Sequence, residues 1–300
     1  MQLFKRNQSK TNHQEKLGGW PVRMRMFELV ADFELTPREQ PEIFIVHSGK
    51  AVVDTKTGKG RQVIANGTAV GSLPGGRFNL VNVQALTMTA LRFLPEWLSD
   101  QSESLLGSKN SAALWGRPFY FSGRESGDHQ PQVFSLEAPV LAALESDLTV
   151  IRGELESNIP TSSLVKHTLL KILLQLAAAH GKYWRGKQHL DWPAELPKLL
   201  AMFERVAAQG KRMNIRQATE ESGMKESRLS QIIEDGLGMA PMDYLERRRA
   251  QHAARQILAG ETSTEAIVAQ TGFTNASGLD EQMKATFGRS TAEYRADFCG

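Results

Sequence analysis

The sequence predicts an α+β protein with strands in its first third and helices in its last. Three observations predict it. Between residues 22 and 98 short apolar runs alternate with Gly-containing turns; around Leu169 a helical stretch is apolar on two faces; and the last hundred residues contain one helix-Gly-helix pattern twice. Three hundred residues, 41% of them hydrophobic, are enough for about two domains. No apolar run reaches the ~18 residues of a membrane span, and the mean hydropathy is −0.34. The longest run, Leu169 to Ala179, is interrupted by Lys171 and Gln175. The expectation is therefore a soluble protein without a membrane partner.

The chain opens with "MQLFKRNQSKTNHQEKLGG", which is polar, basic and lacks the apolar core of a signal peptide. Residues 1–21 read as a disordered basic tail. The single cysteine, Cys299, permits no disulfide within the chain and fits a reducing, cytoplasmic setting. Residues 22–98 read as a β domain, a sandwich or small barrel. "EIFIVHSGKAVVD" alternates on both sides of Ser48-Gly49, and "RQVIANGTAVGSLPGGRFNLVNV" is broken at Asn66-Gly67 and Pro74-Gly75-Gly76. Alternation would put Ile43 and Ile45, or Phe44 and Val46, inside it. Arg77 and Arg92 could pair an acidic ligand there; core and surface roles are the simpler reading of all six.

Residues 99–134 give no assignable pattern. Helical signals then fill 135–185, with Ser135 placed to cap one helix and Ser162-Ser163 another. In the second helix Val165, Leu169, Ile172, Leu173 and Leu176 form one apolar stripe, and Leu170, Leu174 and Ala178 another. A helix apolar on two faces is buried on two sides. The first stripe is the expected dimerisation seam, with a plain core helix as the alternative. "GKQHLDWPAELP", Gly186 to Pro197, is the expected linker into a C-terminal domain at 196–300.

The duplicated unit is "NIRQATEESGMKESRLSQIIEDGLG" and then "STEAIVAQTGFTNASGLDEQMKATFG". Each copy has a short amphipathic helix, a glycine (Gly223, Gly272), a polar stretch, a second amphipathic helix and a closing glycine (Gly238, Gly288). This is the grammar of a helix-turn-helix, in which the glycine supplies a positive φ and the second helix enters a major groove. Thr219 and Val268, four residues before the first glycines, are the expected close-crossing positions. Leu229, Ile232 and Ile233, and Leu279 with Met283, are the expected underside of each second helix. One copy alone is a weak signal. Two copies in order, joined by a single long helix, are specific.

The joining helix is "GMAPMDYLERRRAQHAARQIL", with Pro241 in its first turn, where a missing N–H costs nothing. Leu245, Ala253 and Ile257, with Ala250 and Ala254 beside them, give it a slim face. Arg247, Arg248 and Arg249 are expected on the other side, toward phosphates or toward acidic neighbours such as Glu246. The helix reads as a spacer that holds two readers about one turn of DNA apart, ~34 Å.

"LGMAPMDYLERRRAQHAARQIL", "STEAIVAQTGF" and "FGRSTAEYR" resemble, in order and spacing, the DNA-binding domain of the AraC/XylS family of bacterial transcription regulators. "IFIVHSGKAVV" and "ANGTAVGSLPGG" more loosely resemble that family's cupin-like sensor domain. The resemblance implies a cupin-like β-barrel sensor, a helical dimerisation segment and a C-terminal double helix-turn-helix. It implies a sequence-specific regulator, a promoter activator, with double-stranded promoter DNA, RNA polymerase and a second copy of the chain as partners. A small-molecule or protein effector would act at the N-terminal domain.

The DNA-contacting residues expected are Lys225, Ser227, Arg228, Ser230 and Gln231 of the first reader, the three spacer arginines, and Asn275, Ser277 and Lys284 of the second. Departures fall mostly in the second copy. Leu279, Asp280 and Glu281, preceded by Ala276, Ser277 and Gly278, stand where the family carries an aromatic, a Ser and an Arg, and Thr291 replaces its proline; in the first copy Glu234 and Asp235 replace its usual basic tail. Acidic and basic residues balance from Leu196 to Gly300, although the whole chain carries +3. The alternative is therefore a degenerate member that works mainly through protein–protein interaction and binds DNA weakly.

Enzyme signatures are not found. The β segment holds only His47, too few ligands for a cupin metal centre, and no phosphate loop or Gly-x-Ser-x-Gly elbow is present. No catalytic residue, metal or cofactor is expected.

Overall fold

The computed structural model describes residues 21–35, 39–55, 61–72, 76–101, 105, 131–157, 162–183 and 193–298. The expected basic tail lies outside them, apart from Pro21, as do 186–192 of the expected linker and most of the unassigned stretch.

Seven strands make one antiparallel sheet: β1 (Val22–Leu29), β2 (Phe33–Leu35), β3 (Glu42–Asp54), β4 (Gln62–Ala65), β5 (Thr68–Ser72), β6 (Phe78–Phe93) and β7 (Gln132–Ser135). The order is β1-β6-β3-β5-β7, with β2 also on β6 and β4 also on β3. β1 and β7 are its two edges and do not pair, so the sheet is open where a closed barrel was expected.

Bending does part of the work of closure. The two long strands slip register repeatedly between Val46 and Val52, and bulges bend strands and increase their twist. Gly49 sits in this bend at φ 74°, where an added Cβ would lie 2.2 Å from the Ala85 carbonyl oxygen, so only glycine fits. The bent strands then bury side chains on both faces. Ile43, Ile45, Leu91 and Phe93 face the helices, while Phe44, Val46, Met88 and Ala90 pack with Phe78, Leu80 and Ile64 in a second core. Both alternation sets proposed for the interior are thus buried, one in each core.

Two helices, α1 (Ala138–Glu156) and α2 (Ser162–Tyr183), pack on each other, and α2 also lies on β7. Ser135 ends β7 and does not cap α1, which starts after Glu137 without a side-chain cap and with a proline in its first turn. The stripe expected at a dimer seam is interior to a single chain: Val165, Leu169, Ile172, Leu173 and Leu176 are each 0% exposed. Each such burial contributes about 1.5–3 kcal/mol to folding, and none leaves a surface for a second copy. The helix's other side is where Leu170 and Leu174 are half-buried and Ala178 exposed.

Among the described residues seven more helices follow: α3 (Leu196–Ala208), α4 (Ile215–Ser222), α5 (Glu226–Leu237), α6 (Pro241–Leu258), α7 (Thr264–Thr271), α8 (Ala276–Phe287) and α9 (Thr291–Phe298). α6 is the hub, packed against α3, α5, α7, α8 and α9. Among the described residues no helix is long and apolar enough to cross a membrane.

Candidate nucleic-acid interface

The first copy is α4, its turn and α5. Asn214 opens α4 with a reciprocal cap: its Oδ1 accepts the Gln217 amide at 2.9 Å, and Gln217 Oε1 accepts the Asn214 amide at 2.9 Å. Gly223 closes α4 at φ 69°, its amide bonded to the Thr219 carbonyl. The residue buried on α4 is Ala218, 0% exposed; Thr219 is only half-buried and its hydroxyl donates to the Arg216 carbonyl, so the close-crossing position is one residue earlier than the sequence suggested. Leu229, Ile232, Ile233 and Leu237 form the underside of α5, each no more than 1% exposed. Lys225, Ser227, Arg228 and Gln231 are exposed on its outer side, with Ser230 half-buried between. Arg228 Nη2 donates to Glu195 Oε1 at 2.9 Å, and this hydrogen bond holds the Glu195 carboxyl below the usual range.

The second copy repeats the frame. Ser263 caps α7 through the Ala266 amide, Gly272 closes it at φ 78°, and Ile267 is the buried crossing residue in place of Val268. Leu279 and Met283 lie beneath α8, both 0% exposed. The outer side differs. Asn275, expected to touch DNA, uses Oδ1 to accept the Gly278 amide at 2.8 Å as the cap of α8. Ser277 lies 3.5 Å from Glu281. Asp280 accepts the Thr291 amide at 2.9 Å and so anchors the start of α9, a role that sequence spacing did not suggest. Only Ala276, Ser277, Glu281, Lys284 and Ala285 join Asn275 in presenting exposed side chains along α8.

The loop after α3 meets the end of α7, in the second copy, backbone to backbone. A Cβ on Gly272 would lie 2.3 Å from the Gly210 carbonyl oxygen, and one on Gly210 would lie 2.3 Å from that of Gln270. Two glycines with positive φ are required for this approach.

On the spacer, the slim face forms as expected: Leu245, Ala250, Ala253, Ala254 and Ile257 are all buried. The arginines do not follow the expectation. Arg248 is 0% exposed; its Nε bonds Glu204 Oε1 and its Nη2 bonds Glu204 Oε2 at 2.8 Å, while Gln251 takes Nη1. Tyr244 donates to the same carboxylate at 2.7 Å. Arg249, 4% exposed, bonds Glu246 and the Lys211 carbonyl. Arg248 cannot reach a phosphate from there, because withdrawing it would leave the buried Glu204 uncompensated, and Arg249 is itself buried. Arg247 remains half-exposed. Nothing in the sequence around Arg248 announces Glu204; the only local hint is Tyr244, one turn earlier on the same side.

His47 bridges Glu145 (3.0 Å) and Thr89 (2.8 Å), but the Thr89 side chain is 1% exposed and cannot meet a substrate. Arg92 is paired with Glu42 at 3.0 Å in the interior, and Arg77 is at the surface, so the two do not form an acid-binding pair. No three His, Cys, Asp or Glu among the described residues are placed to hold a metal.

A family model described as a helix-turn-helix domain matches residues 218–297, which takes in both second helices and the whole of α6. No curated protein matches the chain. Among solved structures, ToxT from Vibrio cholerae is 14% identical with a TM-score of 0.42, over 94% of this chain and 100% of that one. ToxT from the same organism bound to an unsaturated fatty acid is 15% identical with a TM-score of 0.41, over 94% and 97%. The AraC-like transcriptional activator CuxR is 15% identical with a TM-score of 0.37, over 78% and 77%. All three overlaps are loose. The two turns, their glycine caps and the shared spacer all fall within residues 218–297, the stretch that matches a helix-turn-helix domain.

Proposed function

We propose that this protein is a sequence-specific, cytoplasmic transcription regulator that binds promoter DNA mainly through α5. On this reading it activates RNA polymerase and is controlled by a small-molecule or protein effector at its N-terminal domain. The observation that carries the reading is the outer side of α5: a fixed apolar underside presents Lys225, Ser227, Arg228 and Gln231 together in the first two turns. Long donors and acceptors there suit base edges and phosphates of a major groove. α8 offers less, because Asn275 and Asp280 are occupied in capping and its other exposed side chains are short, acidic or a single lysine.

Selection of binding sites from a random duplex pool, followed by affinity measurement, tests this. Arg228→Ala should weaken binding by about 1–3 kcal/mol and relax preference at one position, while Ser277→Ala should leave both unchanged. Equal losses would defeat the assignment of readout to α5. A second reading, in which α8 meets a protein and DNA is bound weakly, is favoured by the exposed Glu281 beside Ala276 and Ser277. It predicts no selected sequence at all.

A further inference from the structure

The contacts between the two ends of the chain converge on one short segment. Pro95–Gln101 is a 3-10 helix that continues directly from β6, a central strand of the sheet. Five of its residues are buried, Glu96 and Ser99 among them. α6 lies on this segment more extensively than on either reader helix. α9 reaches it too: Tyr294 Oη donates to Glu96 Oε1 at 2.5 Å, with Tyr294 1% and Glu96 5% exposed. Beside that bond Arg289 spans Glu39 at 2.9 Å and Asp297 at 2.7 Å. From α2, Lys166 donates to both oxygens of Asp100 and lies over the Trp97 ring. One seven-residue piece thus joins the sheet, α2, α6 and α9.

The chemistry of the contact matters as much as its extent. An apolar patch would hold the two parts together in many registers. A buried carboxylate is satisfied only where its donor sits, so a single hydrogen bond selects one placement. Burial pushes the Glu96 carboxyl up, and the Tyr294 hydroxyl offsets part of that cost. The exposed outer sides of α5 and α8 take no part in the contact. It therefore positions the readers without covering them.

We propose that Pro95–Gln101, through the Glu96–Tyr294 bond, is a strut by which the N-terminal domain sets the orientation of α6 and α9, and with them of both helix-turn-helix copies. Its consequence for DNA rests on the reading of α5 above; the strut itself does not. Because the segment follows β6 and is held by α2, α6 and α9 at once, a displacement at the end of β6 is passed to α6 and α9 as a change of angle.

The test uses the full chain. Tyr294→Phe keeps the ring that packs on Phe287 and Phe298 and removes only the hydroxyl. Amide hydrogen exchange read by mass spectrometry should become several-fold faster in Pro95–Gln101, α6 and α9 together. Glu96→Gln, which retains an oxygen acceptor, should stay near wild type. Faster exchange confined to α9, no change, or a Glu96→Gln chain as loose as Tyr294→Phe would each overturn the strut. Affinity for a duplex is measured beside it, and weakened binding by Tyr294→Phe is expected. Loosened helices with wild-type affinity would overturn the role in orienting the readers. If wild type binds no duplex, the DNA-binding reading fails while the exchange pattern still decides the strut.

Discussion

The two helix-turn-helix copies share a frame and differ in what they do with their polar side chains. Both start from a side-chain cap, both turn at a left-handed glycine, and both bury one crossing residue, Ala218 or Ile267, five positions before it. In the first copy the polar residues of the second helix stay at the surface. In the second they are drawn into the scaffold: Asn275 caps its own helix, and Asp280 holds α9. α9 in turn carries Tyr294 to Glu96 of the N-terminal domain. The difference teaches that duplication conserves the fold of a reader more readily than its reading, since a frame needs apolar periodicity and caps, whereas reading needs long polar side chains that stay exposed, as Arg228 does even while paired with the surface Glu195.

The comparison can be broken hardest at the hub the copies share. Arg248→Met should destabilise the protein by about 3–5 kcal/mol, because Glu204 keeps a buried charge without its cation. Changing Glu204 to Leu in the same chain should recover much of that loss. Denaturant unfolding measures both, and an Arg248→Met chain with wild-type stability but a shallower salt dependence of DNA binding would return Arg248 to the phosphates.

The glycine caps separate the copies next. Gly223→Ala places a side chain at φ 69° with nothing within 4 Å, and should cost about 1–2 kcal/mol for the left-handed backbone alone. Gly272→Ala adds a Cβ 2.3 Å from the Gly210 carbonyl oxygen and must also push α7 away from the loop after α3. It should cost more than Gly223→Ala, and equal unfolding midpoints would show that the second copy does not lean on that loop.

Asp280→Ala gives the smallest of these effects. Loss of the acceptor for the Thr291 amide should cost about 0.5–2 kcal/mol, as for other helix caps. If Asp280 instead repels a phosphate, the variant should keep its stability and bind duplex DNA more tightly.

Much of the C-terminal architecture was legible in the residues themselves. The paired glycines, the apolar undersides of α5 and α8 and the slim alanine face of α6 all appear as local periodicity, because a helix fixes which residues share a face. The N-terminal half was legible as strands and turns but not as an open sheet. Closure depends on whether two edges far apart in sequence meet, and the bulges that bend β3 and β6 leave no mark beyond Gly49. The stripe on α2 was visible as apolar, yet whether it faced its own core or another copy depended on β7 and α1 arriving beside it.

The fates of the polar residues were decided by tertiary structure alone. Arg247, Arg248 and Arg249 are identical in type and adjacent in sequence, but helical rotation sends them to different environments, and Arg248 meets a carboxylate 44 residues away. Glu96 and Tyr294 are 198 residues apart and share no motif. Sequence by itself determined the C-terminal helices, their glycine turns and their apolar faces, because those follow from neighbours along the chain. Which charges remain free for a ligand was settled only by folding, because a buried ion must find its partner wherever the fold supplies one.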